Sequence, residues 1–170
     1  MVNNLWPSNQ DWLEALYIIV PTYCTNGAPI IFGGGPPLDF GKCLSDGQRI
    51  FGTNKTVRGL AGGLMIGAVI GVLGFYLISP VLLTISLLAC LGALLGDLAG
   101  AFLKRRLKIE PGAPLPGVDQ LDFVIGALLF VFPFYQVSLT SVLILILVTP
   151  PIHFLTNVGA YLLGLKSNYW

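Results

Sequence analysis

The sequence predicts an all-α integral membrane protein with five transmembrane helices and two longer cytoplasmic loops. Three observations predict it. Of 170 residues, 55% are hydrophobic and 10% charged, where a soluble domain carries about 25% charge, and mean hydropathy is +0.81. Apolar runs recur at the length a bilayer demands, roughly 20 residues. The nine Lys and Arg residues all fall on one side of a five-span arrangement. One membrane-embedded domain over 1–170 is expected.

The first span is expected at about 12–33. Residues 1–10 are polar and lack a basic n-region, so no cleavable signal peptide is expected. The second span, about 57–78, carries Gly59, Gly63, Gly67 and Gly71 at i+4 spacing, a small-residue face that lets another helix approach closely. The third, about 81–103, repeats the device with Gly92, Gly96 and Gly100, and the two glycine faces are expected to pack on each other. The fourth, about 120–137, contains Pro133, and the fifth, about 139–165, contains Pro150 and Pro151. Proline removes a donor and clashes one turn back, which predicts a kink or break in the fifth span. Tight turns at 79–80 and 136–140 leave two long polar connections, 34–56 and 104–118.

Lys42, Arg49, Lys55 and Arg58 lie in or beside the first connection, Lys104, Arg105, Arg106 and Lys108 in the second, and Lys166 in the tail. The positive-inside rule makes that face cytoplasmic, with the N-terminus outside and the C-terminus inside. Trp6, Trp12, Tyr169 and Trp170 stand where aromatic belts form. Cys24, Cys43 and Cys90 show no metal or redox spacing.

The chemistry concentrates in residues 96–122, GDLAGAFLKRRLKIEPGAPLPGVDQLD. Asp97 sits inside an apolar run, where an aspartate costs about 2.5–3.5 kcal/mol to insert and usually faces a partner or a wet cavity. A structural Asp–Lys or Asp–Arg pair, or a snorkelling position near the interface, is the competing explanation and ranks below the functional one. Asp119 and Asp122 share one face of a helix start. About 5.5 Å apart at an effective dielectric near 20, they would repel by roughly 3 kcal/mol. Helix-capping explains them singly. Together with Asp97 and the basic cluster they favour a divalent cation, Mg²⁺ by ligand preference. In the first connection, Asp46, Arg49, Lys55, Thr56 and Arg58 lie in a small-residue stretch running into a helix, an arrangement suited to phosphate although not the spacing of a Walker A loop. Asn26 stands near the same face. His153, Asn157 and Tyr161 share a face of the fifth span and read as interhelical hydrogen-bonding residues. Carboxylates and phosphate-binding bases, open to both cytosol and lipid, suggest chemistry joining a soluble phosphate compound to a lipid.

As an ordered series these residues carry a family resemblance. Asp97, then Lys104-Arg105, then Asp119-Gln120-Leu121-Asp122 resemble the C-terminal signature of the CTP-dependent phosphatidate cytidylyltransferases. The archaeal branch, the CDP-archaeol synthases, is closer. There the resemblance extends to Pro21-x-Tyr23-x-x-Asn26, Pro37-Leu38-Asp39-x-Gly41, the 46–59 stretch, His153-x-x-x-Asn157 and Gly164-x-Lys166. Ala101 and Gln120 stand where the bacterial signature has Ser and Arg. The resemblance implies that CTP and an isoprenoid ether lipid phosphate (digeranylgeranylglyceryl phosphate) give CDP-archaeol and pyrophosphate with Mg²⁺. It implies Asp97, Asp119 and Asp122 as metal ligands, with Lys104, Asp119 and Asp122 in the catalytic roles. It further implies CTP or phosphate contacts from Asn26, Asp46, Arg49, Lys55, Thr56, Arg58, Lys104 and Arg105. The implied partners are CTP, the lipid phosphate and membrane lipids, with no nucleic acid. A small transporter of an anionic solute is the competing reading, supported by the expected break in the fifth span and weakened by the lack of an internal repeat. An enzyme consuming CDP-lipids is a third, and the chain lacks the aspartate spacing it would need.

Overall fold

The structure is a computed structural model and describes residues 7–166 and 168; Trp6, Tyr169 and Trp170, placed at the interface by the sequence, lie outside them. Five helices follow one another: α1 (Asn9–Phe32), α2 (Val57–Leu77), α3 (Val81–Arg106), α4 (Val118–Val131) and α5 (Leu139–Leu162). Among the described residues there are no strands beyond isolated bridges, Pro37 with Thr56 and Cys43 with Arg49. Four helices, α1, α2, α3 and α5, are long and apolar enough to cross a membrane.

The fourth differs from expectation. α4 has 14 residues, about 21 Å at 1.5 Å per residue. It ends at Val131 rather than running on to 137: Phe132, still helical in its dihedrals, is the C-cap, and Pro133 brings no N–H to carry the hydrogen-bond ladder further. The turn that follows leads to Ser138, whose side chain caps α5 by accepting from the N–H of Ser141. Ser138 also ties the turn to the start of α1, its hydroxyl donating to Asp11 (2.7 Å) and its N–H to Glu14 (2.9 Å). α4 therefore starts at the face carrying the two long loops and leads to the opposite one.

α5 does not break at its prolines. Pro150 and Pro151 lie within one continuous helix. Two prolines remove only two rungs of the hydrogen-bond ladder. Beside them the Thr149 hydroxyl donates to the Leu145 carbonyl (2.5 Å) and the Tyr23 hydroxyl from α1 donates to the Thr149 carbonyl (3.0 Å). The support that a broken helix would have lent to a transporter is gone.

The glycine faces also find other partners than each other. On α2, Gly63 and Gly67 meet Thr25 of α1 and Leu94 and Cys90 of α3. The Thr25 hydroxyl bonds to Cys90 Sγ (2.9 Å) and that of Ser86 to the Gly67 carbonyl (3.0 Å). The α3 glycines face α4 instead. A Cβ at Gly92 or Gly96 would run into the backbone of Gly126 or Asp122, so the two helices touch backbone to backbone. The core, with Ile18, Ile85, Ala89, Phe123, Val124, Ala127, Val131 and Leu145 buried, lies where α1, α3, α4 and α5 meet. Phe123 at its centre stacks edge-on with Tyr23, ring centroids 5.2 Å apart.

Candidate active site

The three consecutive bases at the end of α3 point in three directions, because successive helical residues are turned by about 100°. Arg106 reaches the first loop. It pairs with Asp46 (2.6 Å) and donates to the carbonyls of Gln48 (3.2 Å) and Arg49 (2.5 Å), and its guanidinium lies 5.1 Å above the Phe102 ring. Both long loops are thus fastened together at one face. Lys104 turns to α4 and holds Asp119 (2.8 Å). Arg105 turns inward. It is 5% exposed, and its Nε is buried without a hydrogen-bond partner.

The first loop is built around Asp39, 3% exposed. Its carboxylate accepts the N–H groups of Gly41 (3.0 Å), Phe51 (3.1 Å) and Gly52 (3.0 Å) and pairs with the Arg49 guanidinium. Burial by itself would raise its pKa, but Arg49 and the three N–H donors outweigh that and hold the carboxyl well below the usual carboxylate range. Arg49 is raised in return, chiefly by its hydrogen bond to Asp39. This hub fixes the strand-like exit from the loop, with Leu38 N–H bonded to the Lys55 carbonyl (2.8 Å). Thr56 then caps α2, accepting from Gly59 N–H (3.1 Å). Lys55 is left pointing at α3, its Nζ 2.6 Å from both oxygens of Asp97.

These elements enclose a cavity of about 210 Å³. Its walls bring together residues remote in sequence: Asn26 of α1, Lys55 of the first loop, Asp97, Lys104 and Arg105 of α3, and Asp119 and Asp122 of α4. Of the expected site residues, four stand apart. Asp46 and Arg49 are engaged with Arg106 and Asp39, Thr56 is the cap of α2 and lines a smaller adjoining cavity, and exposed Arg58 packs against Gly35. The cavity has further walls that the expected set omits. Phe51 and Asn54 come from the first loop, and His153, Asn157 and Lys166 close it from α5 and the tail. Lys166 donates to Asn157 Oδ1 (2.7 Å), the Asn157 amide lies 3.1 Å from His153 Nδ1, and the His153 ring faces that of Phe123 at 6.0 Å. Burial pushes the Lys166 ammonium down.

The three expected metal ligands line one cavity, but they do not converge: among the described residues no three His, Cys, Asp or Glu side chains are gathered to hold a metal ion. The reason is electrostatic. Asp97 and Asp119 each hold a lysine ammonium. Asp122 accepts the N–H of Phe123 (2.6 Å) and has no ion pair among the described residues. The donor set is right for a hard divalent cation, three carboxylates from two helices, and two of them already bind positive charge. Chemically, the cavity offers fixed cations for an anion of high charge, with carboxylates for a counter-cation.

A family model described as CarS-like, CDP-archaeol synthase, matches residues 10–170. The chain is 48% identical over 163 residues to a CDP-archaeol synthase of Pyrococcus furiosus, covering 93% of this chain and 98% of that one. It is 45% identical over 169 residues to one of Thermococcus gammatolerans, covering 96% and 98%. Among solved structures it is similar to one described as an intramembrane enzyme for archaeal membrane lipids biosynthesis, with a TM-score of 0.80 and 38% identity over 86% of this chain and 94% of the other.

Proposed function

The chain belongs to the CarS-like family of CDP-archaeol synthases, and from that membership we propose that it transfers CMP from CTP to digeranylgeranylglyceryl phosphate, giving CDP-archaeol and pyrophosphate. It does so as a single multi-pass domain, with five crossings, the N-terminus outside and the cavity facing the cytoplasm. The observation that carries the reading is Arg105, buried in the cavity wall without an ion pair at hydrogen-bonding distance among the described residues. A buried cation left so calls for an anionic ligand.

An oxygen of the lipid phosphate attacks the α-phosphorus of CTP, and the bond from that phosphorus to the β-phosphate oxygen breaks, releasing pyrophosphate. The nucleophile is already ionised, so the enzyme needs no general base. Its task is to bring two anions together and to stabilise the charge that shifts to the leaving group. Lys55, Lys104 and Arg105 face the triphosphate, and Asn26 is placed for a polar contact from α1. As the triphosphate takes over Lys55 and Lys104, Asp97 and Asp119 are released from their lysines. With Asp122 they are the residues that would hold Mg²⁺, which when bound screens the phosphate charges and polarises phosphoryl oxygens. Asp46, Arg49, Thr56 and Arg58 serve at one remove, by holding the loop that presents Lys55.

The test is pyrophosphate release by the purified chain in detergent. Release should require CTP, Mg²⁺ and the ether lipid phosphate together. Asp119→Asn and Asp122→Asn should each abolish it while the protein remains monodisperse. Full activity in either variant would remove those carboxylates from the mechanism.

A further inference from the structure

The first loop carries an aromatic residue that the fold leaves largely uncovered. Phe40 is 70% exposed, although it directly follows the buried hub Asp39. Its φ is 47°, in the left-handed region that bulky residues seldom enter. The turn holds it there from both sides. Phe40 N–H donates to the Pro37 carbonyl (3.0 Å), Lys42 N–H to the Asp39 carbonyl (2.8 Å) and Gly41 N–H to the Asp39 carboxylate (3.0 Å). Backbone of this kind persists where its surroundings fix it, and it gathers at functional positions. Here it presents a ring to the outside at a place where glycine or asparagine would meet the turn more easily.

Neighbours fix the height of Phe40. Leu38, two residues earlier, lines a small space with Pro29 of α1, Leu60 of α2 and Leu98 of α3. It therefore lies level with the last turn of α1 and the first turn of α2. Two residues span at most about 7 Å, so Phe40 stays near the level where those helices leave the bilayer. Ile31, in the same last turn of α1, is 72% exposed, which is apolar surface left to lipid. Lys42 and Arg58, both exposed, stand beside this segment in the loop and in the first turn of α2. The two carboxylates of the loop are already engaged, Asp39 with Arg49 and Asp46 with Arg106.

We propose that Phe40 inserts between head groups and acyl chains of the leaflet on the loop side, with Lys42 and Arg58 against anionic head groups, so that the membrane surface moors the first loop. Aromatic surface flanked by bases suits the interface, and each base near an anionic surface adds attraction. A protein partner would have to displace lipid to reach a ring at this level. The mooring extends to the cavity. Asp39, next to Phe40, holds the N–H groups of Phe51 and Gly52, and Leu38 N–H holds the Lys55 carbonyl. The surface thus steadies the loop that presents Phe51 and Lys55.

Two measurements test this without turnover, so they stand apart from the cytidylyltransferase reading. Both use the full chain in nanodiscs, where the loop face is open to solvent. In the first, p-benzoylphenylalanine is placed at position 40 and irradiated in discs of phosphatidylcholine and phosphatidylglycerol. A lipid adduct mapped to residue 40 is expected. No lipid adduct, or adducts joining two copies of the chain, would overturn the proposal. In the second, proteinase K cleavage within 33–56 is timed. Phe40→Asn removes the ring but suits the turn, since asparagine accepts left-handed backbone. Its melting profile should match wild type, and its cleavage in the discs should be roughly tenfold faster or more, from an aromatic side chain no longer buried. Lys42→Gln should lose about fivefold of the protection that phosphatidylglycerol adds over phosphatidylcholine alone. A wild-type cleavage rate in Phe40→Asn, or protection indifferent to the anionic lipid, would show that the membrane does not hold this loop.

Discussion

Arg105 is the residue on which the electrostatic account turns. Arg105→Gln keeps most of its volume and removes its charge. It should raise the KM for CTP roughly ten- to a hundredfold, from a charged hydrogen bond of about 1.5–3 kcal/mol, with an unchanged melting profile; an unchanged KM would place the triphosphate elsewhere. Asp39 works at a distance from substrate. Its folded pKa lies below its unfolded one, so its contribution to loop stability is present above the ordinary aspartate value, about 3.9, and is lost as pH falls below it. Proteolysis within 33–56 should therefore speed up at strongly acid pH, and Asp39→Asn should cleave as fast at neutral pH; resistance of that variant at neutral pH would contradict the hub. Sequence alone singles out Asp97, Asp119 and Asp122 as a set, because an aspartate in an apolar run usually faces a partner or a wet cavity and the other two share a helix start, although pairing or capping explains each singly. It does not show which charge answers which. The bases and acids can pair in several ways, and the rotation of α3 decides that Lys104 meets Asp119 and Arg106 meets Asp46 of the first loop, while Arg105 meets neither. His153, Asn157 and Lys166 escaped the expected site for a similar reason. Their i+4 spacing and the tail motif were visible, but a helical face does not announce whether it looks onto a neighbour or a cavity.

At the scale of elements, the contact of α3 with α4 positions the acids. Gly92 and Gly96 rest on backbone of α4, so Gly96→Val must push the helices apart. Overpacking of this kind costs about 1–3 kcal/mol or more. The variant should lose both thermal stability and activity, whereas Gly159→Ala, where a Cβ meets nothing within 4 Å, should gain a few tenths to about 1 kcal/mol. Equal melting temperatures for the two would refute the close contact. Glycine spacing was enough to find these faces but not their partners. A row of glycines accepts any small or slender surface, and α4 offers Gly126 to α3 while Thr25, Ser86 and Cys90 fit the row on α2. Likewise, Pro150 and Pro151 predicted a kink or break in α5, yet the helix runs through, since packed neighbours hold what local hydrogen bonds lose.

For the whole molecule, the five-helix order and nearly every boundary followed from apolar length, and the short α4 did not, because the apolar run continues past Pro133 although the helix stops. The sidedness of the charges carries the proposed orientation, and the chain supplies its own reporter. Cys43 is exposed in the first loop, while Cys90 is buried. A membrane-impermeant maleimide should leave Cys43 unlabelled in intact cells and label it in inverted vesicles; the reverse pattern would put the cavity outside. The central claim is narrower than topology: this cavity moves a nucleotide's α-phosphorus onto a lipid. The direct measurement is the fate of CTP radiolabelled at that phosphorus, given with Mg²⁺ and digeranylgeranylglyceryl phosphate to the purified chain. The account predicts that the label passes into the organic phase as CDP-lipid, in step with pyrophosphate release. Label that stays in the aqueous phase while the protein is folded and supplied with both substrates would contradict it.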